Sequence, residues 1–252
     1  MKTFFKNIKF FLNSISTFWC AKDQLIALEK YRLYELETTL NKVKIDYEKK
    51  NDILDFGFGD GFQANYLENK KFNVSAIDIK KKNNLENNNI NFLIYDGKKI
   101  PFKNSTFDII FSSNVMEHLS NLDEIQRELF RVLKDDGICI HILPSTNWRL
   151  WTIISSVIKY WYLDPRPHGD LASNCFSELI YFSQKEWKKN FLNNNFEIID
   201  IFQNNLFYSG NNLFGLRISL KYRFFLAKIF GSSCNIFIIK KNQKKISKLK
   251  NA

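Results

Sequence analysis

The stretch NDILDFGFGDG, residues 51–61, decides how the rest of the 252-residue chain is read. Ile53 and Leu54 form a short apolar run after a polar, lysine-rich segment, in the manner of a buried parallel strand. Gly57, Gly59 and Gly61 follow at alternate positions, and Ala64 and Leu67 continue at helical spacing. A strand that breaks into a glycine-rich turn and opens a helix offers backbone without Cβ atoms, so a ligand can lie directly against it. Glycines after a strand also serve plain turn chemistry, so the stretch gains meaning only with partners elsewhere in the chain.

Working outward, a regular alternation begins at Asp52. Strands are expected at 53–56, 73–77, 90–95, 107–112, 138–143, 196–202 and 234–239, with helices at 63–69, 122–133 and 184–193. Strands that alternate with helices pair in parallel, and right-handed crossovers then give an α/β, Rossmann-like doubly wound sheet of seven strands. The gap between Leu143 and Phe196 exceeds one crossover. It is rich in aromatics and holds Pro165, Pro167, His168 and Gly169, as an insertion covering the ligand crevice would. Before the first strand, Asp23 is a candidate N-cap for a helix with Leu25, Leu28, Leu36, Leu40 and Val43 as its buried stripe. Residues 3–19 place Phe4, Ile8, Phe11, Leu12 and Ile15 at helical spacing, either as an interfacial helix or as one packed on the main domain. The expected division is an N-terminal helical flank at 1–48, a main domain at 49–240 with a lid insertion at about 145–183, and a basic tail at 241–252.

Composition bounds the rest. A hydrophobic fraction of 45% with 16% aromatics belongs to a globular protein. Cys20, Cys139, Cys175 and Cys234 are scattered, with no CxxC pair, which argues against a disulfide framework or structural zinc and for a reducing compartment. No metal site is expected. The net charge of +11 is concentrated: ten Lys and Arg follow Asp200 and no acidic residue does. A basic end suits an anionic partner such as a membrane surface, although a composition rich in Lys, Asn, Ile and Phe yields the same excess without one. The apolar stretch at 148–163 is broken by Arg149 and Lys159 and is too short for a span. Lys6 and Lys9 interrupt any signal-like run. The chain reads as cytoplasmic, with contact at the inner face of the membrane left open.

Four features then arrive in order. The glycine turn is led by Asp55; the second strand ends at Asp78, placed to accept ribose hydroxyls; the third ends at Asp96; the fourth runs out into Ser113-Asn114-Val115-Met116-Glu117-His118. Together these resemble the class I S-adenosylmethionine-dependent methyltransferases, in their small-molecule, type 11 branch. The resemblance runs from about Asp52 to Pro144, departing where Asp135-Asp136 stand in place of the family's usual Pro-Gly. It implies S-adenosyl-L-methionine as cofactor, with Gly57, Gly59 and Gly61 approaching it, Asp55 bearing on its amino acid end, Asp78 on the ribose, Asp96 on the adenine amino group and Asn114 beside the methionine part. The GxGxG spacing differs from the GxGxxG of dinucleotide sites.

Oxygen and nitrogen acceptors often need a base, and His118 and His168 are the candidates, while His141 within a strand reads as structural. The fourth strand lacks the Asn/Asp-Pro-Pro-aromatic sequence of base- and glutamine-directed methyltransferases, and no Pro-Cys nucleophile is present, so nucleic acid is disfavoured as a substrate. The lid, the basic end and the core together are similar to methyltransferases of cell-surface glycan, lipid-linked and quinone biosynthesis. Two rivals remain: a non-catalytic binding or adaptor protein of this fold at a membrane surface, and an NAD-type oxidoreductase, disfavoured by the glycine spacing.

Overall fold

The computed structural model describes residues 19–20, 23–43, 45, 51–80 and 89–243. The expected 3–19 helix and most of the basic tail lie outside them. Helix α1 (Gln24–Val43) precedes β1 (Asp52–Phe56), α2 (Phe62–Asn69), β2 (Asn73–Asp78), β3 (Asn91–Ile94) and β4 (Phe107–Ser113). Then come α3 (Leu122–Val132), β5 (Leu133–Pro144), α4 (Thr146–Tyr160), α5 (Ser177–Tyr181), α6 (Gln184–Asn193), β6 (Phe196–Gln203), α7 (Leu220–Phe230) and β7 (Cys234–Lys241).

The seven strands form one sheet in the order β3-β2-β1-β4-β5-β7-β6. Pairings among β1 to β5 are parallel, and β7 runs antiparallel to both β5 and β6. The chain builds outward from β1 to β3, then returns to the other side of β1 with β4. This creates a switch point, and ligands of open α/β sheets bind at the carboxyl ends of the strands there. Successive strand residues face opposite sides, so Ile53, Ile109 and Ile140 enter one core with α1 and α2. Leu54, Ile110 and Cys139 enter the other, with α3 and α6. All four cysteines are buried thiols. No helix among the described residues is long and apolar enough to cross a membrane.

The strands stand where the sequence places them, with β5 starting early at Leu133 through a register shift opposite Phe107 and Ile109. Helix α1 departs from expectation in two ways. Its buried face is Ala27, Tyr31, Glu35, Leu36, Thr39 and Leu40, whereas Leu25 is exposed. The Asp23 carboxylate does not cap the helix. It accepts from Asn212 Nδ2 and the Leu216 amide, tying the helix start to a loop nearly two hundred residues away. Buried polar groups extend this attachment. Glu35 accepts from Asn204 and Tyr208, and Arg223 donates to the carbonyls of Phe207, Leu213 and Gly215. Those bonds offset part of the cost of burying both groups, while Glu35 Oε2 and Arg223 Nε are left without a hydrogen-bond partner among the described residues.

Candidate functional site

Three strand ends and the turn after β1 enclose a cavity of about 310 Å³, lined among others by Gly57, Gly59, Asp78, Asn114 and His118. The turn is fastened to β2: Gly57 N and Phe58 N both donate to Ile77 O, and Gly59 N donates to Asp78 Oδ2 at 2.9 Å. Two glycines are required here for different reasons. A Cβ at Gly57 would collide with Val115 Cγ2, so this position lets the turn close against the loop after β4. At Gly59, φ is +57° and a Cβ would meet nothing within 4 Å, because that side is open to the cavity. Gly61 lies outside the lining. It is the N-cap of α2 in the left-handed region, and its carbonyl accepts from Asn65.

Asp55 lies beneath the turn, fully buried, and neither carboxylate oxygen has a hydrogen-bond partner. Burial, reinforced by Asp78 and Asp60, pushes its carboxyl up to about 7. Asp55 does not itself line the cavity; it underlies the turn whose glycines do, and the Ala64 amide partly offsets its burial. Asp96 is not part of the lining. It is exposed, and its Oδ1 accepts from the Lys98 and Lys99 amides, which hold its carboxyl below the usual range. Tyr95, one residue earlier, reaches the cavity instead. Asn114 sits at φ +53°, and its amide continues the sheet to Ile142 O. The sequence reading missed Arg32, which α1 brings to the cavity from outside the motif region. No spacing signal marked it, since its position depends on how α1 packs.

A second cavity of about 350 Å³ is lined by α4 and the following loop, including Arg149, Thr152, Ser156, Tyr160, Arg166 and His168. The two cavities meet at a histidine pair: His118 lines the first, His168 the second, and their rings lie 4.8 Å apart, edge to face. With Glu117 they form a cluster whose donor atoms all lie within 4.8 Å of one another. Both imidazoles are exposed on one side, and partial desolvation at the junction pushes them down, His168 to about 4 with help from His118 and Arg149, so both are neutral near pH 7. Burial also pushes Glu117 up to about 8.

The lid loop is pinned over this junction by one carboxylate. Glu178, buried on α5, accepts from the His168 and Gly169 amides at 2.7 Å each and pairs with buried Arg149 at 2.5 Å. Arg149 in turn donates to Arg166 O. Gly169 presses directly on the loop after β4: Asp170 N donates to Glu117 O, and a Cβ at Gly169 would collide with that oxygen. His141 is structural, fully buried, bonded to Ser112 Oγ and stacked on Phe191. A larger hollow of about 580 Å³ lies at α3 and α6, but it contains none of the turn glycines or strand-end carboxylates.

Comparison with known proteins gives the same picture. Residues 54–141 match the methyltransferase domain family. The chain is 28% identical over 146 residues to a ubiquinone biosynthesis O-methyltransferase of Rickettsia typhi, a match covering 54% of this chain and 58% of that one, so it spans less than two thirds of that relative. The fold is that of an S-adenosylmethionine-dependent methyltransferase from Aquifex aeolicus, with a TM-score of 0.52, 18% identity and coverage of 81% and 88% of the two chains. It is shared with the Burkholderia thailandensis 1,6-didemethyltoxoflavin N1-methyltransferase, solved with S-adenosylhomocysteine, at a TM-score of 0.53, 11% identity and coverage of 82% and 76%.

Proposed function

Because residues 54–141 are a methyltransferase domain, we propose that this protein transfers a methyl group from S-adenosylmethionine to a small hydroxylated acceptor, in quinone biosynthesis or in the assembly of glycans or lipid-linked precursors. The observation that carries the reading is the meeting of two cavities at His118 and His168, one at the glycine turn and one under the lid.

The residues of the first cavity suit the cofactor. Asp78 accepts from the Ile79 and Lys80 amides on Oδ1 and from the Gly59 amide on Oδ2, which leaves acceptor capacity on Oδ2 for a ribose hydroxyl. Arg32 suits a carboxylate, and Asp55, buried beneath the turn and outside the lining, bears on the cationic amino acid end through the turn's backbone. When bound, the cofactor supplies an electrophilic methyl on a sulfonium. The chain's own contribution is proximity, orientation and a destination for the acceptor's proton. His168 and His118 are neutral at the junction and are the groups positioned to receive it. The lid, fixed through Glu178 and Gly169, keeps His168 at that position.

Calorimetric titration with S-adenosylmethionine, S-adenosylhomocysteine and NAD tests the first half. Micromolar binding of the first two and none of the third is expected, and silence from both in folded protein refutes it. A screen of catechol-bearing quinone precursors, nucleotide sugars and lipid-linked glycans for S-adenosylhomocysteine release tests the second half. Cofactor binding without turnover on any of them would favour the binding-protein alternative.

A further inference from the structure

We propose that the adjoining faces of α4 and α7 dock this protein on an anionic lipid surface. On α4, Leu150, Ile154 and Val157 are 36–41% exposed and Trp161, just past the helix, 47%. Their spacing of four, three and four residues traces a single stripe along the helix. Tyr222, Phe225 and Ile229 do the same on α7 and are 58–62% exposed. The two helices are neighbours. The Trp151 ring of α4 packs on Phe230 at 4.7 Å, its Nε1 donates to Phe230 O, and Ile158 joins Leu226 and Ala227 in one small core. Surface helices ordinarily turn polar residues outward, so two neighbouring exposed apolar stripes mark an interaction surface.

Charge selects the occupant. Neither helix contains Asp or Glu, and Lys221 and Lys228 are exposed on α7 beside its stripe. No acidic residue follows Asp200, and none occurs in residues 1–22, which carry Lys2, Lys6, Lys9 and Lys22. That segment joins the body close by, where the Trp19 ring lies 5.3 Å from Phe214 and Trp19 O accepts from the Phe214 amide. Exposed aromatic and aliphatic side chains on two helices that carry lysines and no acid match the boundary of an anionic bilayer: rings enter the headgroup layer and ammonium groups meet phosphate. An acidic protein would engage the lysines but leave the stripes wet. For the proposed reaction this sets Tyr160, on the rim of the second cavity, beside the lipid. That consequence rests on the methyltransferase reading; the docking itself does not.

The test is co-sedimentation of the full chain with phosphatidylcholine vesicles, with and without phosphatidylglycerol, at low and high salt. The parent should pellet with the anionic vesicles and be released by salt. Y222S/F225S/I229S should bind at least about tenfold more weakly, and K221Q/K228Q roughly fivefold more weakly per lysine, both with the thermal transition of the parent. No pelleting of the parent, or equal pelleting of parent and triple variant, overturns the proposal. So does a parent dimer that the triple variant converts to monomer, which would assign the face to a second copy. Cofactor titration is independent of all these arms, so failure here leaves the methyltransferase reading standing.

Discussion

Asp55→Asn should make the ligand-free protein more stable, and only above a defined pH. Burial and the charges of Asp78 and Asp60 push the Asp55 carboxyl up to about 7, from 3.8 for an ordinary aspartate. The unfolded chain therefore ionises at lower pH than the folded one. Stability is fully present below about pH 4 and is lost as pH rises towards 7, because the folded state must either hold the proton or bury a bare charge. About three pH units at 1.36 kcal/mol each come to roughly 4 kcal/mol by pH 8. Asparagine has the shape of the protonated acid and no charge to bury. Urea unfolding of both proteins at pH 4 and pH 8 should give nearly equal stabilities at the lower pH and a variant up to about 4 kcal/mol more stable at the higher. In thermal unfolding at pH 8 this amounts to about 10 °C in Tm. Contributions from other carboxylates cancel in the difference. An identical difference at both pH values would refute the assignment of a strained, unpartnered acid. The stabilised variant should also bind S-adenosylmethionine more weakly, the expected trade at a site built for a ligand.

The remaining predictions concern the turn, the lid and the histidine pair. Gly59→Arg should abolish cofactor binding by calorimetry while costing about 1–2 kcal/mol of stability for a left-handed non-glycine residue, since its Cβ meets open space; unchanged affinity would remove the turn from the site. Glu178→Gln leaves Arg149 buried without its counter-charge and should cost about 3–5 kcal/mol in urea unfolding. The double variant E178Q/R149M, which removes both charges and keeps an acceptor for the His168 and Gly169 amides, should recover most of that loss. His168, depressed to about 4, stays neutral from pH 8 down to about pH 5, so His168→Gln should lower kcat by a similar factor across that range. An unchanged kcat in the variant would point away from His168.

The fold was legible in the sequence because its signals are local. Short apolar runs between turn residues, helical spacing in 122–133 and the glycine turn after residue 56 each depend on neighbours within one element, and parallel pairing follows from their alternation. Gly57, Gly59, Asp78, Asn114 and His118 line the cavity because they stand at or just beyond strand ends, which the switch point gathers by topology. Asp96 stands one residue past the position that reaches the cavity, because local amides capture its carboxylate. A one-residue displacement of this kind is set by turn geometry, which spacing does not encode. Tertiary packing alone decided the rest. Arg32 enters the site only because α1 lies across the sheet, held through Asp23 and Glu35 to residues 204–216. Arg149 and Glu178 stand 29 residues apart with no motif to link them, yet burial makes them partners that set the loop. Burial also moves Asp55 and Glu117 far from their ordinary pKa values, and desolvation is a property of the folded surroundings, not of the residue.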